Sequence, residues 1–211
     1  MKFAPEGYPF IAGSAALSLF CYWAGGAAAA ALPVVFTAFM CYFFRDPERT
    51  EPGDRGLFVA PADGRVIVIR ETDEPEYLHA RVMQISIFMS PLNVHVNRAP
   101  HEGKVKSVVH TKGAFLAAYR DEASLRNEHI DMVLETGYGD ILVRQVAGFL
   151  ARRAVCRVKE GDLLQRGERY GIIKFSSRVD VYLPLNAEVK VRTGDMVRAG
   201  ETVLCRIDNR G

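Results

Sequence analysis

The sequence predicts a mainly β fold of the α+β class: a duplicated β-sandwich with a small helical part, preceded by an apolar helical hairpin. Three observations lead there. Short runs such as Met83, Ile85, Ile87 and Met89, alternating with Gln84, Ser86 and Phe88, have the two-residue period of half-buried strands. The segment Val158-Lys-Glu-Gly-Asp-Leu-Leu-Gln-Arg-Gly-Glu168 returns as Val191-Arg-Thr-Gly-Asp-Met-Val-Arg-Ala-Gly-Glu201, matching at the valine, both glycines, the aspartate and the glutamate. From Pro9 to Phe44 there is no charged residue.

That uncharged run is split by Gly25-Gly26 and by Pro33, and each part is slightly shorter than the ~20 residues of a membrane-spanning helix. A tight hairpin that dips into or crosses the bilayer fits best. The alternative is a secretory signal peptide cleaved near Ala27 to Ala31, but the start is weakly basic and a second apolar run follows the alanines. Lys2 precedes the run and Arg45 and Arg49 follow it, so the positive-inside bias places both ends in the cytoplasm. Tyr22, Trp23, Tyr42, Phe43 and Phe44 suit the water–lipid boundary. Residues 1–50 therefore read as a membrane-associating hairpin and hinge, with Pro47 ending the helix, and residues 51–211 as the globular domain.

Beyond the turn-rich linker Glu51 to Gly56, strands are predicted at Val66 to Ile69, Met83 to Met89, Val105 to Val109, Met132 to Leu134 and Ile141 to Val146. Gly137-Tyr-Gly-Asp140 joins the last two as a hairpin, and an irregular or helical insertion occupies roughly Ala114 to Arg126. The repeated glycines supply turns that need positive φ. Both repeats resemble the turn units of lipoyl- and biotinyl-carrier domains, and Ala60-Pro-Ala-Asp-Gly64 fits the same sandwich, yet no Met-Lys-Met hairpin lysine is present to carry such a cofactor.

Composition excludes several classes. A net charge of +2 over 211 residues gives no footing for nucleic acid. Cys21, Cys41, Cys156 and Cys205 have neither zinc-site spacing nor the density of a disulfide scaffold, and read as reduced and inert. No H-E-x-x-H, P-loop or G-x-G-x-x-G pattern occurs, and His79, His101, His110 and His129 have no metal-ligating spacing.

Chemistry is expected where Ile172, Ile173 and Phe175 are separated from Val179, Val181 and Leu183 by Ser176-Ser177. Two serines between strands are ordinarily a turn. Here, however, Lys174-Phe-Ser-Ser-Arg-Val-Asp-Val-Tyr-Leu-Pro184 resembles the self-cleavage segment of short-chain bacterial and archaeal phosphatidylserine decarboxylases. Phe43-Phe-Arg-Asp-Pro-Glu-Arg49 resembles the membrane-to-domain junction of that family, Ser90-Pro-Leu-Asn-Val-His-Val-Asn-Arg-Ala-Pro100 its Ser-Pro…His…Pro region, and Val146-Ala-Gly-Phe-Leu150 with Arg152-Arg153 its Ala-Gly…Ala-Arg-Arg segment.

The resemblance implies a proenzyme. Ser177 Oγ attacks the carbonyl of Ser176 and the peptide becomes an ester; β-elimination breaks the chain, and hydrolysis of the enamine releases ammonia and leaves a pyruvoyl group on residue 177. Residues 1–176 become the β chain and 177–211 the α chain, together a heterodimer, with further homo-oligomerisation left open. The pyruvoyl would form a Schiff base with the amine of phosphatidylserine, giving phosphatidylethanolamine and carbon dioxide at the cytoplasmic face of the cell membrane. By the same resemblance His95 serves decarboxylation, Asp63 is a further catalytic residue, matching the Pro-x-Asp-Gly aspartate that in longer members partners the second histidine, Asn127 lies in a turn beside the site where it could contact substrate, and Arg152 and Arg153 could face lipid phosphate. Each also has a plain reading: structural histidine, turn aspartate, polar turn and surface charge.

Two departures stand out: Ser176 replaces the family's usual glycine, and Arg98 stands where longer members carry a second histidine. Pyruvoyl-dependent histidine decarboxylases are similar in splitting a Ser-Ser bond. The competing readings are a membrane-tethered β-sandwich adaptor without catalysis, and a pyruvoyl decarboxylase of a related amino-acid substrate.

Overall fold

The computed structural model describes residues 2–54, 56–114, 116, 118, 123–148, 154–174 and 177–208. It comprises two compact units, Met1–Glu48 and Arg49–Gly211.

In the first unit a 3-10 turn at Pro5–Gly7 leads into helix α1 (Tyr8–Phe43), which breaks at Gly26 with φ 72° and ψ −166°. That conformation suits a residue without Cβ. The chain reverses there, since Ser18 Oγ and Thr37 Oγ1 meet at 3.1 Å across the two arms. At the base, the Ala4 N–H donates to the Phe44 carbonyl and the Asp46 N–H to that of Lys2. Arg45 donates to the Tyr42 carbonyl at 2.6 Å and lies 3.7 Å over the Tyr42 ring, a cation at a helix C-terminus. The hairpin expected from the glycine pair is formed.

The second unit opens with β1 (Leu57–Val59), β2 (Gly64–Glu74) and β3 (Ala80–Met89). The same order returns in β4 (Val96–Arg98), β5 (Gly103–Thr111) and, after the short helix α2 (Ala123–Arg126), β6 (His129–Thr136). Then come β7 (Gly139–Ala147), β8 (Ala154–Cys156), β9 (Leu163–Leu164) and β10 (Arg169–Ile173). The chain finishes with β11 (Ser177–Pro184), β12 (Glu188–Val189), β13 (Met196–Val197) and β14 (Val203–Arg206). Among the described residues the main antiparallel sheet runs β13-β2-β3-β11-β7-β6-β5-β9, accompanied by β1-β14-β12 and β4-β10-β8. All four cysteines are free, and burial pushes the Cys205 thiol up to about 12.

The duplication extends further than the glycine repeat. Gly161 and Gly194 have φ 91° and 102°, Gly167 and Gly200 have 74° and 77°. Their N–H groups donate in matched pairs, Gly161 to Val105 and Gly194 to Val66, Gly167 to Ala99 and Gly200 to Ala60. Those acceptors belong to a second repeat, Ala60-Pro-Ala-Asp-Gly-Arg-Val66 and Ala99-Pro-His-Glu-Gly-Lys-Val105. The two copies cross-link, with Val59 donating to Pro100 and Arg98 to Pro61. In each copy the register shifts just after the valine, between Val66 and Val68 and between Val105 and Ser107. A Cβ on Gly64 or Gly103 would strike a carbonyl of the adjoining strand, Phe88 or Glu135. The sheet order is thus symmetric about the central pair β11 and β7.

Alternation along β11 gives its two faces different work. Val179, Val181 and Leu183 join the apolar core with Ile85, Ile87, Met89 and Val143. Arg178, Asp180 and Tyr182 point the other way into a buried polar layer.

Candidate active site

Ser177 is the first residue of β11, in the middle of the main sheet, opposite Met89 on β3 and Ala147 on β7. It is fully buried and faces the apolar core side. Its hydroxyl donates to the Met89 thioether at 3.4 Å, a weak acceptor. The Asn97 amide also donates to that sulfur, at 3.7 Å, and accepts from Gln145 Nε2 at 2.8 Å. Gln145 Oε1 is buried without a partner among the described residues. Ser177, Met89, Asn97 and Gln145 therefore form one connected cluster at the end of the sheet where the chain passes from β10 to β11. Ser176 lies outside the described residues, as do Arg152 and Arg153.

His95 sits in the extended residue before β4, not within the strand, and is fully buried. Its carbonyl accepts from the Ile173 N–H at 3.3 Å, extending the β4–β10 ladder and holding the histidine alongside the segment that leads to Ser177. Nδ1 lies 3.0 Å from the Asn93 carbonyl, which can only accept, so Nδ1 is the donor and the ring's orientation is fixed. Asn93 is itself fixed, accepting at Oδ1 from both the N–H and the hydroxyl of Ser90. The Ser-Pro-Leu-Asn string is a turn that aims His95.

Asp63 has a defined set of restraints. Arg49 donates to Oδ2 at 2.7 Å and the Ala199 N–H to Oδ1 at 2.8 Å, tying the aspartate to the second glycine turn. Arg49 also reaches Glu201 at 3.1 Å, so this cation, expected to flank the membrane segment, is engaged by carboxylates of the β unit. Arg98 donates from its backbone to Pro61 and from its guanidinium to the Gly167 carbonyl at 2.9 Å.

The Asn127 side chain is committed to backbone partners. It accepts from the Leu116 N–H and donates to the Leu116 and Ala147 carbonyls, all at 2.8 Å. It clamps the insertion against the residue that pairs with Ser177. His129 beside it is buried, with Nδ1 2.7 Å from the Asn127 carbonyl and Nε2 3.4 Å from Asp131. Burial opposes its charge, but the bonds to Asp131 and Asn127 outweigh that and raise its pKa above the ordinary value.

The polar layer behind β11 is anchored by Arg178, whose Nε lies 2.5 Å from Asp180 and whose NH2 donates to Ser86 at 2.8 Å. Ser124 of α2 donates to the other Asp180 oxygen at 2.5 Å, and Arg144 forks onto Asp131. Burial and the Asp180 charge push Tyr182 up to about 12. A cleft of about 170 Å³ lined in part by Arg70, Gln84, Arg144 and Tyr182 opens on this face, away from Ser177. Breaking a buried pair strands its partner's charge, so Arg178→Met is expected to cost about 3–5 kcal/mol. Chemical denaturation checks this, and a loss under about 1 kcal/mol would mean that the pair does not hold the strand.

In class, this is an antiparallel β domain made of two related halves, with a buried serine linked through a thioether to an amide pair, and a buried histidine whose carbonyl is bonded to the strand that leads to that serine. Residues 36–205 match the family model for phosphatidylserine decarboxylase. The chain is 50% identical to a phosphatidylserine decarboxylase proenzyme of Citrifermentans bemidjiense, over 95% of this chain and 94% of the relative. It is 45% identical to that of Desulfotalea psychrophila, over 97% and 96%, and 46% identical to that of Symbiobacterium thermophilum, over 97% and 95%. The chain belongs to the phosphatidylserine decarboxylase family.

Ser177 and His95 stand out in the sequence, whereas Met89, Asn97 and Gln145 are brought to the cluster by strand pairing. Asn97 was within reach, since it stands two residues after His95 on the same side of an extended segment.

Proposed function

We propose that this protein is a self-processing enzyme that decarboxylates phosphatidylserine to phosphatidylethanolamine, cleaving itself between Ser176 and Ser177. Family membership supports the reaction. The observation that carries the assignment to Ser177 is the mismatch between its hydroxyl and its surroundings. A buried hydroxyl whose acceptor is a thioether is poorly stabilised where it sits. Conversion of residue 177 to a pyruvoyl turns the hydroxymethyl into a methyl, as Oγ leaves with the Ser176 carboxylate, and turns the nitrogen-bearing Cα into a ketone carbonyl; the apolar methyl suits the Met89 and Ala147 lining. The pyruvoyl would supply a carbonyl that condenses with the substrate amine and takes up electrons as carbon dioxide leaves.

The chain's own residues do the rest. The β11 ladder to β3 and β7, with Arg178 and Asp180 behind it, keeps the new N-terminus in register after the bond is cut. His95 Nε2 is the group assigned to return a proton. Asp63, held by Arg49 and the Ala199 N–H, is a positioning residue at the repeat turn, and Asn127 is an anchor for the insertion. The apolar hairpin keeps the enzyme at the membrane, where a substrate with two acyl chains resides.

The test is the intact mass of freshly purified protein under denaturing conditions. Two fragments meeting between residues 176 and 177 are expected, the smaller one blocked and reactive towards hydroxylamine. A single full-length mass together with no decarboxylation of phosphatidylserine in mixed micelles would sink the reading.

A further inference from the structure

We infer that the N-terminal hairpin crosses the whole bilayer, with its Gly25-Gly26 tip at the far interface and both ends on the near side. This deepens the membrane-anchoring reading above and rests on it.

Three arrangements are open to an apolar hairpin: lying in the interface, stopping within the hydrocarbon, or crossing it. Lying flat requires one polar face and one apolar face. Here Leu17, Leu19, Phe20, Leu32, Val34, Val35 and Phe36 are all exposed, directed around the arms, and no charged residue occurs between Pro9 and Phe44. The hydroxyls between the arms are satisfied within them: Ser14 donates to Ile11, Ser18 to Ser14 and Thr37 to Pro33. No face is left for water.

Stopping at mid-depth fails on the backbone. The break at Gly26 ends one helical arm and begins another. The last carbonyls of the first and the first N–H groups of the second therefore lack intrahelical partners. Ala24, Gly25, Gly26, Ala27, Ala28 and Ala29 carry no polar side-chain atom to receive them. Each such group left in hydrocarbon costs several kcal/mol, which lipid-exposed irregular backbone does not tolerate. The tip needs water or headgroups.

Length and ends agree with crossing. Arms 8–25 and 27–43 each span about 26 Å at 1.5 Å per residue, a few Å short of a ~30 Å hydrocarbon core, a gap that local thinning accommodates. Tyr22 and Trp23 are 61% and 84% exposed beside the tip, while Tyr8 and Tyr42 stand at the base with Lys2, Arg45 and Glu48 beyond them. Aromatic residues thus mark both ends, as they do at the two interfaces of a spanning helix.

Two measurements on the full-length chain test this. Trp23 is the only tryptophan. In proteoliposomes its fluorescence is expected to be quenched more by lipids brominated near the headgroup than by lipids brominated near the methyl end. Stronger quenching by the deep probe would place the tip in the hydrocarbon and overturn the inference. No quenching by either would instead remove the membrane reading on which it rests.

To distinguish the two interfaces, Ala24→Cys and Thr50→Cys are placed singly in a chain with Cys21, Cys41, Cys156 and Cys205 changed to serine or alanine. They are then treated with a membrane-impermeant maleimide in intact bacterial spheroplasts. Labelling of residue 24 before lysis and of residue 50 only after lysis is expected. Labelling of residue 24 only after lysis, in a variant that retains decarboxylase activity, would overturn the crossing.

Discussion

Ser177→Ala is expected to give one uncleaved chain of full-length mass with decarboxylation reduced to background. The prediction is sharp because the same substitution should scarcely affect folding. Among the described residues the Ser177 hydroxyl donates to the Met89 thioether, a weak acceptor that the Asn97 amide also contacts. Removing a buried hydroxyl with so weak a partner exposes no unsatisfied acceptor, and alanine fills nearly the same space, so stability should change by no more than about 0.5 kcal/mol. The ladder to Met89 and Ala147 uses the backbone and survives the change. An inactive variant that melts with the wild type would therefore report lost chemistry and not lost structure. Either cleavage or turnover in Ser177→Ala would overturn the assignment of residue 177. If the wild type proves slow to mature, Ser176→Gly is the companion variant, since glycine accommodates the strained backbone that exposes a carbonyl to attack.

The fold was legible where the pattern is local. Alternation from Met83 to Met89 and from Val179 to Leu183 became β3 and β11, and the repeated glycines took matched positive φ values. The start of β11 was placed two residues late, because a serine carries no apolar signal and only pairing with Met89 and Ala147 makes residue 177 part of the strand. The second repeat, from Ala60 and from Ala99, escaped notice because its most specific letters are small or charged turn residues. Its two copies share Ala, Pro, Gly and Val but differ at Ala62/His101, Asp63/Glu102 and Arg65/Lys104, and the His101 ring stacks on Phe58. Site residues supplied by other strands were hardest to see. Gln145 reaches Asn97 only because β7 and β4 converge on one end of the domain, a relation set by register and not by spacing. Arg49 reads as a membrane-flanking cation until Asp63 and Glu201 are brought to it from distant positions.

His95→Ala is expected to separate the two activities, leaving self-cleavage intact while slowing decarboxylation. The backbone at this position would keep its place, because its tie to Ile173 runs through the carbonyl and the Asn93 turn is closed by Ser90. What is lost is a ring whose Nδ1 proton is pinned on the Asn93 carbonyl, leaving Nε2 to exchange a proton. Positioned proton transfer contributes roughly 10²–10⁴-fold, so kcat should fall by about that factor while KM changes little. A merely structural histidine would lower melting temperature without that split. Turnover equal to the wild type would remove His95 from the mechanism. Failure to cleave at residue 177 in a folded His95→Ala protein would move its role from decarboxylation to maturation, where Ile173 and His95 are already neighbours.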